Sequence, residues 1–277
     1  MTVVLYVLLA LGITPLIAGL VLARPSHDRV LPAPGSVVLC ALAFNLTFFW
    51  QELWLVLPKA WAGLSPTLFH NDHDWAGDAP VAELLQGTGA LGTLSSGVVF
   101  LILLAAMRGA SSTWRMFFFW MAAHGLFQAF SQLAIGTVLS GNDMGRALAY
   151  LQVGAPAKAA LLVLAAVAMA AAGAVLARLS PLEARGRAFG WSVLITLLAA
   201  VVLVVPFRVP RHPIEVVLIP LLVHLTAAGW LALGAAADRR RHTGVVAVQA
   251  LALVVPAVAL AVVLAVFQIV LRPGVSF

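Results

Sequence analysis

The chain has 277 residues, 63% of them hydrophobic and only 9% charged. A soluble domain carries about 25% charged residues, so most of this chain cannot face water, and the soluble globular and disordered classes are excluded. The formal net charge is +6, but the basic residues stand in short clusters between apolar runs and form no stripe interleaved with aromatics. They read as topology-setting loop charges that meet anionic lipid, and nucleic acid is not expected as a partner.

Taken in chain order, the apolar runs predict an all-α, polytopic transmembrane helical bundle of about eight spans, at about 3–23, 34–57, 83–107, 113–140, 148–177, 187–207, 212–236 and 243–271. A span needs about 20 residues at 1.5 Å rise per residue. The first run is followed by Arg24 and lacks a basic region before it, so it reads as a retained helix. The fifth run is overlong and is expected to tilt, kink at Pro156 or project from the bilayer. Pro15, Pro220 and Pro256 also fall inside spans. Loops are short except at 58–82, so residues 1–277 read as a single integral membrane domain.

Orientation follows from the arginines. Alternate connections carry Arg24 and Arg29, then Arg108 and Arg115, then Arg178, Arg185 and Arg187, then Arg239, Arg240 and Arg241. This bias puts those connections in the cytoplasm and both termini on the outer, periplasmic side of a bacterial inner membrane. On the third span, Thr88, Gly92 and Ser96 recur at i, i+4, as do Gly89, Thr93 and Gly97. Such a small-residue face lets a neighbouring helix approach closely. Trp50, Trp54, Trp61 and Trp75 read as an outer aromatic belt, and Trp114 and Trp191 as an inner one.

The polar residues gather in the outer half. The long connection carries His70, Asn71, Asp72, His73 and Asp74. His70 and His73 share a face if the loop makes a helical turn, and with Asp74 and Glu52 they make a candidate metal set. The competing reading is a polar loop whose Asn and Asp cap turns. Glu52 lies near the outer end of the second span and needs a partner, a proton or water; Lys59 and Arg146 are candidate structural partners. The fourth span carries His124, Gln128 and Gln132 at i, i+4, i+8, a stripe that lipid cannot satisfy. His224 on the seventh span lies at the depth of His124, with Glu215 nearer the outer end, and Tyr150 and Lys158 come from the fifth span. His124, His224, Gln128 and Gln132 are the candidate cofactor-binding residues.

These residues predict a polar, outward-facing site holding a divalent metal: zinc, iron or copper. Haem between His124 and His224 is a further option. In the enzyme reading, Glu52 or Asp72 acts as base, and Lys158 or Tyr150 steadies negative charge on a lipid-like or small substrate. The alternatives are a non-catalytic subunit of a larger membrane complex and a proton-coupled transporter. Expected partners are membrane lipid and other membrane subunits. The single cysteine, Cys40, excludes an intrachain disulfide and is read as excluding any Cys-based zinc or iron–sulfur site.

Overall fold

In hydrocarbon every backbone N–H and C=O must be bonded within the protein, which turns long apolar runs into helices. The computed structural model describes residues 2–70, 72–77, 79–208, 214–238 and 253–277. Its helices are α1 (Thr2–Leu22), α2 (Pro34–Trp61), α3 (Val81–Leu85), α4 (Thr88–Ala106), α5 (Ser112–Val138), α6 (Asp143–Tyr150), α7 (Ala155–Leu179), α8 (Gly186–Val204), α9 (Ile219–Ala237) and α10 (Val254–Val266). Three two-residue strands, β1 (Thr67–Leu68), β2 (His73–Asp74) and β3 (Val275–Ser276), form one antiparallel sheet in the order β2-β1-β3.

Among the described residues, six helical stretches are long and apolar enough to cross a membrane: Pro34–Trp61, Val81–Ala106, Ala155–Leu179, Gly186–Phe207, Val216–Ala237 and Val254–Leu271. α1 is apolar chiefly over Leu9–Leu22. α5 is 27 residues long, and its polar stripe lowers its hydropathy. The starts of the seventh and eighth expected spans, 212–213 and 243–252, lie outside the described residues, as do the cluster Arg239 to Arg241 and Asn71.

The fifth expected run, given as tilting, kinking at Pro156 or projecting, is not one helix: it breaks after Tyr150, with Gln152 at φ 51°, and restarts at Ala155, just before Pro156. Pro156 therefore lies in the first turn of α7, where its missing N–H removes no helical bond. Pro220 likewise starts α9, while Pro15 is inside α1. Lys158 falls in the first turn of α7 and is half-buried, not sunk within the apolar run.

The core places α2 at the middle of the bundle, against α4, α5, α8 and α10, while α9 packs on α1, α7 and α8. Cys40, Ala41, Phe44, Phe119, Trp120, Phe127, Leu197 and Leu231 are fully or almost fully buried there. The small face of α4 does what its spacing predicts. A Cβ on Gly97 would meet the Leu126 backbone nitrogen at 2.6 Å, and one on Gly92 would meet the Trp54 side chain at 2.4 Å. Trp54 is thus a packing residue, while Trp50, Trp61, Trp114 and Trp191 keep exposed surface as belt residues do.

The two ends of the bundle differ. At one end the Arg24 carbonyl accepts from the Arg187 backbone N–H, and the Ser36 hydroxyl meets Met116. The arginine-rich connections after α1, α4 and α7 collect there. At the other end the sheet caps α2, with Val56, Leu68, Phe267 and Leu271 packed beneath it.

Close α4–α5 contact predicts that Gly97→Val overpacks the crossing and destabilises the protein by roughly 1–3 kcal/mol. Thermal melting of purified protein in detergent checks this; an unchanged melting temperature would contradict the crossing.

Candidate metal centre and a polar cluster under the cap

Two polar sites sit at different depths along α2. The deeper one is apolar-walled. Cys40 on α2, His124 on α5 and His224 on α9 are all fully buried, and one ligand atom from each lies within 4.8 Å of the others. The Cys40 sulfur is 3.4 Å from His124 Nε2. His224 Nδ1 donates to the Pro220 carbonyl at 2.6 Å, which fixes the tautomer and leaves the Nε2 lone pair free. His124 Nδ1 and His224 Nε2 are buried with no hydrogen-bond partner. Buried polar atoms are seldom left so.

A metal bonded at about 2.0–2.3 Å needs ligand atoms roughly 3.3–3.8 Å apart. The Cys40–His124 pair already meets that spacing, and His224 needs only a small closing movement. The expectation that one cysteine excludes Cys-based metal binding looked only for cysteine partners: the lone thiol stands with two histidines from distant helices in a group that could hold a metal ion. Phe44 packs on both rings, 5.5 Å from His124 and 4.6 Å from His224. The histidine rings meet edge to face at 5.1 Å, which leaves no gap for a porphyrin plane between them.

The shallower site lies under the cap. Leu68 and His73 are paired across β1 and β2, so they share the face turned toward α2, while Thr67 and Asp74 point the other way. His73 Nδ1 lies 2.9 Å from Glu52 Oε2, and Lys59 Nζ lies 3.0 Å from His73 Nε2. Lys59 Nζ also donates to the Leu55 carbonyl at 3.1 Å, and Lys59 is fully buried. An ammonium only donates, so His73 Nε2 accepts and Nδ1–H donates to the carboxylate. Trp75 stacks on His73 with centroids 5.8 Å apart, and Lys59 and Arg146 stand over its ring at 4.8 and 5.4 Å. Trp75 is part of this cluster, not of a belt.

α6 closes the site from the side. Asn142 caps it by accepting from the Gly145 N–H at 2.7 Å. Arg146 grips Glu83 with two bonds of 2.7 and 2.9 Å. Burial pushes the half-buried Asp143 carboxyl up to about 6; the Glu52 charge adds to the push, and His73, Lys59 and Arg146 oppose it. Below Glu52, Gln51 Oε1 accepts from both Gln128 Nε2 and Gln132 Nε2, the latter at 2.8 Å. The Oε1 atoms of Gln128 and Gln132 are buried without a partner.

The expected metal set of His70, His73, Asp74 and Glu52 is not brought together as one ligand group among the described residues. The loop is a β-hairpin, not a helical turn. His70 is buried in the turn, and Asp74 is exposed and accepts from the Trp75 N–H at 2.8 Å. Asp72 accepts from the His73 N–H at 2.8 Å. Of the expected catalytic residues, Glu52 is in the cluster, Tyr150 is exposed at the end of α6, and Lys158 lies in the first turn of α7. Glu52 pairs with neither Lys59 nor Arg146 directly; His73 stands between it and Lys59. The side chain of Glu215 lies outside the described residues. Lys59 was expected as a direct structural partner of Glu52; it reaches Glu52 through His73.

No known protein family matches the chain, and no curated protein or solved structure is similar to it.

The raised Asp143 carboxyl carries a pH signature. Folding binds a proton there between its ordinary value near 3.8 and about 6, so its contribution to stability falls as pH rises through that window. Asp143→Asn should therefore raise the melting temperature at neutral pH and leave it unchanged at pH near the lower limit. Equal effects at both pH values would contradict the assignment.

Proposed function

We propose that the chain is an integral membrane metalloprotein of the bacterial inner membrane, with about eight spans, the cap facing outward, and one metal ion held by Cys40, His124 and His224. The outward direction of the cap rests on the arginine-rich connections gathered at the opposite end. The observation that carries the metal reading is the convergence of three fully buried ligand atoms within 4.8 Å, two of the ring nitrogens in the group having no hydrogen-bond partner.

The donor chemistry narrows the metal. One thiol and two imidazoles make a soft, trigonal set, the kind that suits copper and also serves zinc. Water activation against a lipid-like or small substrate needs an open coordination position. Three fully buried ligands walled by Phe44 and Trp120 favour a closed centre, one that passes electrons or ties α2, α5 and α9 together. An electron-passing centre needs a donor and an acceptor, so this reading calls for further membrane subunits around the chain, with lipid covering the remaining faces.

Protein purified in detergent without chelator should carry about one copper or zinc per chain. Cys40→Ser and His124→Ala should each lose it, while His70→Ala should keep it. Copper(II) loading should give a thiolate charge-transfer band in the visible that Cys40→Ser removes. Substoichiometric metal in the wild type, or unchanged content in both ligand variants, would rule the reading out.

A further inference from the structure

The cluster under the cap is a line of three titratable groups, Lys59, His73 and Glu52, joined by contacts of 3.0 and 2.9 Å. An imidazole held between an ammonium donor and a carboxylate acceptor can take a proton on one nitrogen while it gives one from the other. We propose that Lys59, His73 and Glu52 form a proton-transfer site that carries protons from water at the cap into the interior of the bundle.

The step balances. Lys59 Nζ gives a proton to His73 Nε2 as His73 Nδ1 gives its proton to Glu52 Oε2. The ammonium becomes an amine, the carboxylate becomes a carboxylic acid, and the imidazole changes tautomer without changing charge. One positive and one negative group are exchanged for two neutral ones. In a buried setting the cost of desolvating the ions offsets much of their attraction, which brings the two states close in energy. Glu52 passes its proton inward, the amine takes one from hydronium admitted at the cap, leaving water, and a flip of the His73 ring returns its N–H to the Glu52 side.

The residue before Glu52 on α2 is Gln51, which is bonded to Gln128 and Gln132 on α5. The two partnerless Oε1 atoms in that amide cage are acceptors suited to a bridging water or an arriving proton. Among the described residues the charged groups around His73 are Glu52 and Lys59 on α2, Asp72 beside it on the cap, and Asp143 and Arg146 on α6; Glu83 on α3 holds Arg146, and Asp74 points away. Asp143 and Glu83 supply negative charge beside Lys59, and Arg146 supplies the opposing positive charge. This set is separate from the Cys40, His124 and His224 group and needs no metal.

The test uses metal-free full-length protein in liposomes adsorbed on a solid-supported membrane electrode. An acid step should give a transient displacement current above that of protein-free vesicles, as protons move into the membrane dielectric. The displaced charge should fall at least about tenfold in Glu52→Gln and His73→Gln, and stay at the wild-type level in His27→Gln, an exposed histidine at the arginine end. Lys59→Arg is the decisive variant. It keeps the positive charge and the donors but cannot release a proton, so a merely structural cation is rescued and a transferring one is not. Melting temperatures measured in parallel identify variants that fail to fold. The wild-type transient in D2O needs no variant and should be slower than in H2O. A wild-type trace equal to empty vesicles, a wild-type charge in Lys59→Arg, or a rate unchanged in D2O would each overturn the proposal.

Discussion

Helix α2 carries Ser36, Cys40, Gln51, Glu52 and Lys59 through an apolar slab, and hydrocarbon can satisfy none of them. Each must therefore find its partner inside the protein. Ser36 accepts from Trp120 Nε1 at 3.2 Å, Cys40 meets His124, Gln51 meets Gln128 and Gln132, and Glu52 and Lys59 share His73. Four of these partners lie on α5 and run parallel to α2, so the seam sets the register of the two central helices. The glycines of α4 then let a third helix close against them without displacing the polar contacts.

The seam separates two kinds of chemistry by depth. Cys40 and Glu52 are about 18 Å apart along the helix at 1.5 Å per residue. Between them stand Phe44 and Phe48, with the Arg208 guanidinium over both rings at 5.7 and 4.7 Å. The deeper site offers a thiol and two imidazoles, with the Arg208 guanidinium beyond Phe44. The shallower one holds Glu52, His73 and Lys59 under the cap.

Much of this was legible in the sequence, and the misses have physical causes. The apolar runs, the small face of α4 and the polar stripe of α5 follow from helical periodicity, which is local. His124 and His224 were paired by depth alone, since both sit mid-run. Cys40 was set aside as the single cysteine; its partner His124 lies 84 residues away, and no local pattern records such a contact. His73 was singled out, but its role depends on a hairpin of two-residue strands, too short to leave an alternation. Lys59 stands at the end of an apolar run and resembles any interface lysine; only the cap above it makes it fully buried.

The cap owes its outer edge to β3, whose Ser276 hydroxyl meets that of Thr67, 209 residues earlier in the chain. The Phe277 N–H also donates to the Pro66 carbonyl at 2.9 Å. Contacts so distant in sequence form late, after local helices and their neighbours are in place. The β1–β2 hairpin needs no such contact, and His73 lies only 14 residues from Lys59 and 21 from Glu52. The bridge can therefore form early and locally, and β3 is laid on a cap that already holds it, widening the cap without building the site beneath it.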